Sequence, residues 1–221
     1  SSPTYFESRF FAVAGNGTTV PAQTVTGLGG ASLYDQNWCV LNVEGAGASP
    51  TTNGVAGKGG MVWAKSRTST ASNVVGDTVR GVNKVLQTNA VSAESSGADL
   101  YFTQFGSGGF TVGSSGSVNT ANNYVSWTFR KQPKFFDVVT YTGNGTNRTI
   151  SHSLGSVPGC IIVKRTDTTG DWQVYHRSLA NTEYMVLNST AAKATGTTRW
   201  NSTTPTTSVF SLGTDATVNA S

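Results

Sequence analysis

Two passages of this chain are near copies of one another. Residues 110–121 read FTVGSSGSVNTA, and residues 210–221 read FSLGTDATVNAS. Phe110 aligns with Phe210, Gly113 with Gly213, Val118 with Val218 and Asn119 with Asn219, each pair 100 positions apart without a gap. Self-similarity at a fixed offset means that one structural unit is built more than once. The first passage runs on through Asn122-Asn123 into Tyr124-Val125-Ser126-Trp127-Thr128-Phe129, whose alternation predicts a strand. The second passage has no such continuation. The expectation is a duplicated β unit whose second copy lacks its final strand.

The rest of the chain supports the duplication. Phe10-Phe11-Ala12-Val13 followed by Gly15-Asn16-Gly17-Thr18 parallels Phe135-Phe136-Asp137-Val138-Val139-Thr140-Tyr141 followed by Gly143-Asn144-Gly145-Thr146. Asn-Gly predicts a tight hairpin turn in each, since both residues tolerate positive φ. Thr24-Val25-Thr26-Gly27-Leu28-Gly29 then parallels Thr149-Ile150-Ser151-His152-Ser153-Leu154-Gly155. An insertion over about residues 30–58 carries its own apolar run, Trp38-Cys39-Val40-Leu41-Asn42-Val43, and a Gly/Pro/Ser/Thr loop from Gly45. The copies rejoin at Gly60-Met61-Val62-Trp63-Ala64-Lys65 and Gly159-Cys160-Ile161-Ile162-Val163-Lys164, which read as central, buried strands. Val85-Leu86-Gln87-Thr88-Asn89-Ala90 is matched to Val186-Leu187-Asn188-Ser189-Thr190-Ala191.

Short strands at this spacing, separated by turn signals, predict an all-β chain of two tandem antiparallel β-sandwich or jelly-roll units, a pattern that is also similar to that of concanavalin-like lectin domains. The predicted divisions are a lead-in at 1–9, a first unit at 10–129, a join at 130–134 and an incomplete second unit at 135–221. About ten further residues after Ser221, or a strand from a neighbouring chain, are expected to fill the open slot.

Charged residues are only 12% of the chain, against about 25% in ordinary soluble domains. Its mild surplus of +4 is scattered except for Arg130-Lys131-Gln132-Pro133-Lys134, which reads as a solvated join rather than a nucleic-acid face. No apolar stretch approaches the roughly 20 residues of a membrane span, so neither nucleic acid nor membrane insertion is expected. Cys39 and Cys160 sit in apolar runs and read as free, buried thiols. With two histidines, they give no metal-ligand spacing, and no metal or cofactor is expected.

Residues fit for catalysis are sparse. His152 and His176 read as structural, and Ser107 lies in a glycine loop rather than a nucleophile elbow. Asp167 and Asp171, in Asp167-Thr168-Thr169-Gly170-Asp171, read as a hairpin turn, as do Glu94 and Asp99 around Ser95-Ser96-Gly97. Carbohydrate recognition asks for less: an exposed aromatic face beside polar groups. Trp172, Tyr175 and Trp200, near Asp171 and Arg199, supply those residue types, with Arg199-Trp200-Asn201 read as a loop with an aromatic tip. The competing reading is that both tryptophans are core residues. Trp63 and Trp127 lie in strand-like runs and are expected in the core.

Several strings are distinctive. The second unit carries Val139-Thr140-Tyr141-Thr142-Gly143-Asn144-Gly145-Thr146, Trp172-Gln173-Val174-Tyr175-His176-Arg177-Ser178-Leu179 and Val209-Phe210-Ser211-Leu212-Gly213. The first carries Val62-Trp63-Ala64-Lys65-Ser66-Arg67, Asp77-Thr78-Val79-Arg80-Gly81 and Gly109-Phe110-Thr111-Val112-Gly113. Together these resemble tandem domains of virion structural and tail-fibre-like proteins of tailed bacteriophages, especially marine ones. The resemblance implies a non-enzymatic virion component, folded in the host cytoplasm and exposed on the particle as part of a tail fibre or receptor-binding appendage. It implies other virion proteins, a homo-oligomer (a trimer) and host-surface glycan as partners, and it names no catalytic residue. A capsid-decoration or other particle-building protein without a ligand is the alternative. A glycan-degrading appendage is a third reading, and it needs two facing carboxylates.

Overall fold

The computed structural model describes residues 10–13, 23–26, 38–43, 59–105, 109–120 and 122–221. The lead-in, the Gly15-Asn16-Gly17-Thr18 turn, the loop from Gly45 and Ser107 lie outside the described residues. The chain divides into two units, Ser1–Gln87 with Ser95–Val138, and Thr88–Glu94 with Val139–Ser221. Both are nearly all β, and no helix among the described residues is long and apolar enough to cross a membrane.

The first unit contains β1 (Phe10–Val13), β2 (Gln23–Thr26), β3 (Trp38–Val43), β4 (Gly60–Ser66), β5 (Val74–Asp77), β6 (Lys84–Gln87), β7 (Ser95–Ser96), β8 (Phe102–Phe105), β9 (Gly109–Val112) and β10 (Tyr124–Arg130). One sheet has the order β1-β3-β10-β4-β5-β6-β7 and the other β2-β9-β8. Val62, Ala64, Val74, Val85 and Tyr124 of the first meet Phe102, Phe110 and Val112 of the second in one core, closed by Val118. That is a sandwich-like arrangement, with strict period-two burial along β4 and β10.

Two expectations change here. β3 runs parallel to β10, so the larger sheet is not wholly antiparallel. β3 comes from the inserted segment, and the long connection that a parallel neighbour needs is residues 44–123, which carry β4 to β9. Trp63 and Trp127 are outside the core cluster. Directly opposite one another on β4 and β10, they alternate away from Val62, Ala64 and Tyr124 and are half-buried on the sheet's other face, edge to face at 6.0 Å.

The basic cluster after β10 is held in the first unit. Arg130 is buried as the last residue of the strand, Phe136 lies against Phe129 at 5.3 Å, and Lys131 Nζ pairs with Asp137 Oδ1 at 2.9 Å.

The second unit contains β11 (Arg148–Ser151), β12 (Cys160–Val163), β13 (Gln173–His176), β14 (Glu183–Val186), β15 (Ala194–Thr195), β16 (Val209–Leu212) and a single helical turn, α1 (Ala216–Asn219). Its sheets are β12-β13-β14-β15 and β11-β16, both antiparallel. Ile150, Val163, Tyr175, Phe210, Leu212 and Val218 form its core together with Trp200. The expected hairpin at Gly143-Asn144-Gly145-Thr146 does not form, because residues 137–144 make no strand. Instead the turn wraps around the end of α1.

β14 meets β13 as β6 meets β5, with Val174 opposite Met185 and Val75 opposite Leu86. Leu86 therefore corresponds to Met185, two residues from the sequence match with Leu187.

Glycine is required at a close approach of backbones rather than by φ at Gly113 and Gly213. A methyl group at Gly113 would land on the Asp99 carbonyl oxygen, and one at Gly213 on that of Thr198. Gly155, with φ +64°, has open space around it. Gly155→Ala is therefore expected to cost only the conformational penalty, about 1–2 kcal/mol, in chemical denaturation. Gly213→Ala forces two backbone segments apart and is expected to abolish cooperative folding of the second unit.

Candidate functional site

The repeated passage closes each unit by the same hydrogen bonds. Val118 and Asn119 donate their amides to the Ser115 carbonyl, as Val218 and Asn219 do to that of Asp215. Asn119 Nδ2 donates to the Gly113 carbonyl at 2.8 Å, and Asn219 Nδ2 to the Gly213 carbonyl at 2.8 Å. Both side chains are buried, so their amides must be satisfied inside the protein. Asn219 is: Nδ2 also donates to the Thr146 carbonyl at 2.6 Å, and Oδ1 accepts the Asn144 amide at 3.0 Å. The Asn-Gly turn is thus folded onto one side chain. Gly145 donates its amide to the Asn219 carbonyl, and Tyr141 Oη donates to the Val218 carbonyl at 2.7 Å.

The residues expected to bind sugar hold this unit together instead. Trp200 is 2% exposed, Tyr175 3% and Trp172 7%, and the Trp200 and Tyr175 rings meet edge to face at 6.0 Å. Arg199-Trp200-Asn201 does lie in a turn, but the indole points inward and fills the core between β13 and β16. No aromatic face remains for a sugar ring at Trp172, Tyr175 or Trp200.

Arg199 ties three elements together. Its Nε donates to Gln173 Oε1 on β13 at 2.8 Å, its Nη1 pairs with Asp215 Oδ2 at 3.2 Å, and its guanidinium lies 3.6 Å from the Tyr184 ring centroid on β14. Asp171 Oδ1 accepts Asn188 Nδ2, and Asn188 Oδ1 accepts the Trp172 amide. All five side chains serve the fold, and residue types alone do not distinguish a core arginine from a ligand-binding one.

The remaining titratable groups are occupied similarly. Burial pushes the Asp215 carboxyl up, but hydrogen bonds from Thr217 and the charge of Arg199 outweigh it, leaving the net shift downward. The hydrogen bond from Arg165 holds Asp167 down to about 2, and Asp167 and Asp171 both lie in the connection between β12 and β13. Asp77 Oδ1 accepts the Val79 and Arg80 amides and its Oδ2 takes Arg80 Nε, which closes the Asp77-Thr78-Val79-Arg80 turn. His152 Nδ1 accepts the Leu154 amide and His176 Nδ1 that of Ser178, each capping its own turn. No group of three or more His, Cys, Asp or Glu among the described residues is placed to hold a metal ion.

Cys160 corrects another expectation: it is free but exposed. Desolvation pushes its thiol pKa upward, the opposite of an activated nucleophile. The reason for its exposure is the position of β12. Among the described residues β12 pairs only with β13, so a run that reads as a central strand forms a sheet edge.

The two units can be superposed in register at this strand. The Thr78 amide donates to the Gly60 carbonyl at 3.0 Å, and the Arg177 amide to the Gly159 carbonyl at 2.9 Å. These bonds align β4 with β12, setting Met61 with Cys160 and Trp63 with Ile162. The row Trp63–Val75–Leu86 crosses β4, β5 and β6, and Ile162–Val174–Met185 crosses β12, β13 and β14. Val75 and its counterpart Val174 are both buried, at 5% and 7% exposed, whereas Leu86 is 5% exposed and its counterpart Met185 36%, and Ile162 at the edge is 46% exposed. The second unit therefore exposes Ile162 and Met185 on either side of the buried Val174, with Ile162 on an edge that is unpaired among the described residues.

Residues 38–221 match a family model described as a domain of unknown function, DUF7483. No curated protein and no solved structure matches the chain.

Removing the Asn219 amide leaves two carbonyls and one amide without their buried partner. Asn219→Ala is expected to destabilise the second unit by about 2–4 kcal/mol, read from denaturant midpoints. Burial also raises the Tyr141 phenol above its ordinary value. A group with a raised folded pKa contributes fully below its unfolded pKa, and that contribution is lost as pH rises. Stability should thus fall above about pH 10. Tyr141→Phe is expected to flatten this alkaline limb in unfolding measurements between about pH 8 and 11.

Proposed function

The chain belongs to the DUF7483 family, and we propose, on the resemblance of its sequence strings, that it is a non-enzymatic structural module of a tailed-bacteriophage particle, built as two copies of one β unit. The observation that carries this reading is the fate of Arg199, Asp171, Trp172, Tyr175 and Trp200. The side chains best suited to hold a ligand are spent on internal packing and hydrogen bonding. Proximity of reacting groups is what catalysis needs first, and the acids and histidines described above cap turns or pair with basic neighbours.

The duplication is supported by the matching Asn119 and Asn219 bonds, the matching backbone clash at Gly113 and Gly213, and the shared pairing of β5–β6 and β13–β14. The sheet pairs around common cores support a sandwich. The phage assignment rests on the resemblance of the quoted strings to tail-fibre-like and virion structural proteins.

Of the two virion roles, particle building without a ligand is favoured over host-glycan contact by the burial of Trp172 and Trp200. The exposed Ile162 and Met185 suit contacts with other virion proteins.

Antibodies raised against the full chain are expected to label purified tailed particles by immunogold electron microscopy. The chain is also expected to leave a panel of bacterial polysaccharides intact. Unlabelled particles would overturn the virion assignment. Polysaccharide cleavage abolished by one carboxylate substitution would overturn the non-enzymatic reading.

A further inference from the structure

We propose that Asn144 is a latent site of self-modification, held unreactive by the closing motif of its own unit, Gly213 to Asn219. Of the asparagines in residues 139–221, Asn144 is the one followed by glycine. That pairing sets the chemistry. The amide nitrogen of the next residue can attack the carbonyl carbon of the asparagine side chain, and glycine has no Cβ to hinder the approach or to narrow the backbone conformations that allow it. The Gly145 amide gives up its proton to water or hydroxide, its nitrogen bonds to Cγ of Asn144, and the Cγ–Nδ2 bond breaks with release of ammonia. Water then opens the resulting cyclic imide at either carbonyl. One opening gives aspartate. The other gives isoaspartate, in which the main chain runs through the side-chain carbon. No oxidant, metal or second protein is needed.

The fold withholds the nucleophile. The Gly145 amide donates to the Asn219 carbonyl at 2.8 Å, so the proton that must leave is shared with a protein acceptor rather than with water. The Asn144 amide is held by Asn219 Oδ1 at 3.0 Å, and the Thr146 carbonyl accepts Asn219 Nδ2 at 2.6 Å. Residues 144, 145 and 146 are thus pinned to one buried asparagine. The electrophile is fixed as well: Asn144 Oδ1 accepts the Thr146 amide at 3.0 Å and the Thr146 hydroxyl at 3.1 Å. Those two bonds polarise the side-chain carbonyl, so the carbon is primed while the nitrogen is not. The backbone has little room to rearrange, because a Cβ at Gly143 would lie 2.0 Å from the Ala220 carbonyl oxygen. Water has access, since Asn144 is exposed. Protection therefore rests on hydrogen bonding and conformation, and it ends when the motif opens.

The consequence is a one-way record of opening. Folded segments open locally and reclose many times within the lifetime of the chain. Each opening frees the Gly145 amide, and isoaspartate is not reversed by reclosing. Its extra main-chain carbon lengthens the path between the residue 144 and residue 145 amides, so the two no longer reach Asn219 Oδ1 and the Asn219 carbonyl together. The product thus keeps the motif open. Aspartate is milder, because its Oδ1 still accepts the Thr146 bonds. The reactive glycine is also the one the turn requires: Gly145 sits at φ +68°, where a side chain is strained.

The test follows residue 144 by peptide-mapping mass spectrometry in the full chain at mildly alkaline pH, beside a synthetic peptide of residues 141–149, with hydrogen exchange read at the Gly145 amide. The peptide is expected to convert at least about tenfold faster than the intact chain, and the slowing in the chain should match the exchange protection of Gly145. Asn219→Ala removes the side-chain bonds to the turn and should return the rate toward that of the peptide. Because that variant can fail to fold, the unaltered chain is also held in denaturant below its unfolding midpoint, where conversion should rise in step with Gly145 exchange. Chain aged while unfolded and then refolded should regain Gly145 protection in its asparagine and aspartate forms but not in its isoaspartate form. Conversion in the intact chain at the peptide's rate while Gly145 is protected overturns the inference. So does an Asn144 that stays unconverted once the Gly145 amide exchanges freely, or an isoaspartate form that recovers full protection. The virion assignment stands or falls separately, on particle labelling.

Discussion

A buried asparagine on a helical turn organises the second unit. Asn219 is 1% exposed, yet its amide reaches the Gly213 carbonyl, the Thr146 carbonyl and the Asn144 amide. It joins the end of β16, the start of α1 and the turn before β11 at one point. Fully satisfied polar groups of this kind are costly to disturb, because every partner loses its bond in a low-dielectric interior. The glycine beside it is equally constrained, since any side chain at Gly213 would meet the Thr198 backbone. The conjunction of glycine and asparagine six residues apart is thus a physical unit, and the same unit appears at Gly113 and Asn119.

Around that point the second unit makes a small core from few large side chains. Trp200 and Tyr175 fill space that shorter residues would leave open, and Arg199 braces β13, β14 and α1 from the rim. An arginine with a partner in each direction is held rigidly, and its planar fork suits such bracing better than a lysine would. A cluster of tryptophan, tyrosine, arginine and aspartate can therefore be a keystone as readily as a binding site. Burial decides between them, and burial is a property of the assembled unit.

The contrast between β4 and β12 shows how one pattern can lead to two surfaces. Both strands are short apolar runs opening with glycine, and both pair antiparallel with the next strand. β4 has β10 on its other side; β12 has no such neighbour among the described residues, and Ile162 on that strand is 46% exposed. Apolar area left at an unpaired edge is a standing invitation to association. Its meaning comes from comparing the two units.

Much was legible in the sequence because it depends on local rules. Period-two alternation marked β10, continuous apolar runs after a glycine marked β4 and β12, and the echo at 110 and 210 located the two closing motifs. Other features depended on partners distant in the chain. The Asn144-Gly145 turn looks like a hairpin until Asn219, 75 residues away, takes its amide. Trp200 looks like the tip of a polar loop until β13 and β16 enclose it, and Cys160-Ile161-Ile162-Val163 looks central because composition records burial on both faces but not the presence of a neighbour. The sequence by itself determined which segments extend, where they turn and that one closing motif occurs twice. Only the tertiary structure decided which side chains are enclosed and which sheet edge stays open, because those depend on contacts between segments that local propensity does not encode.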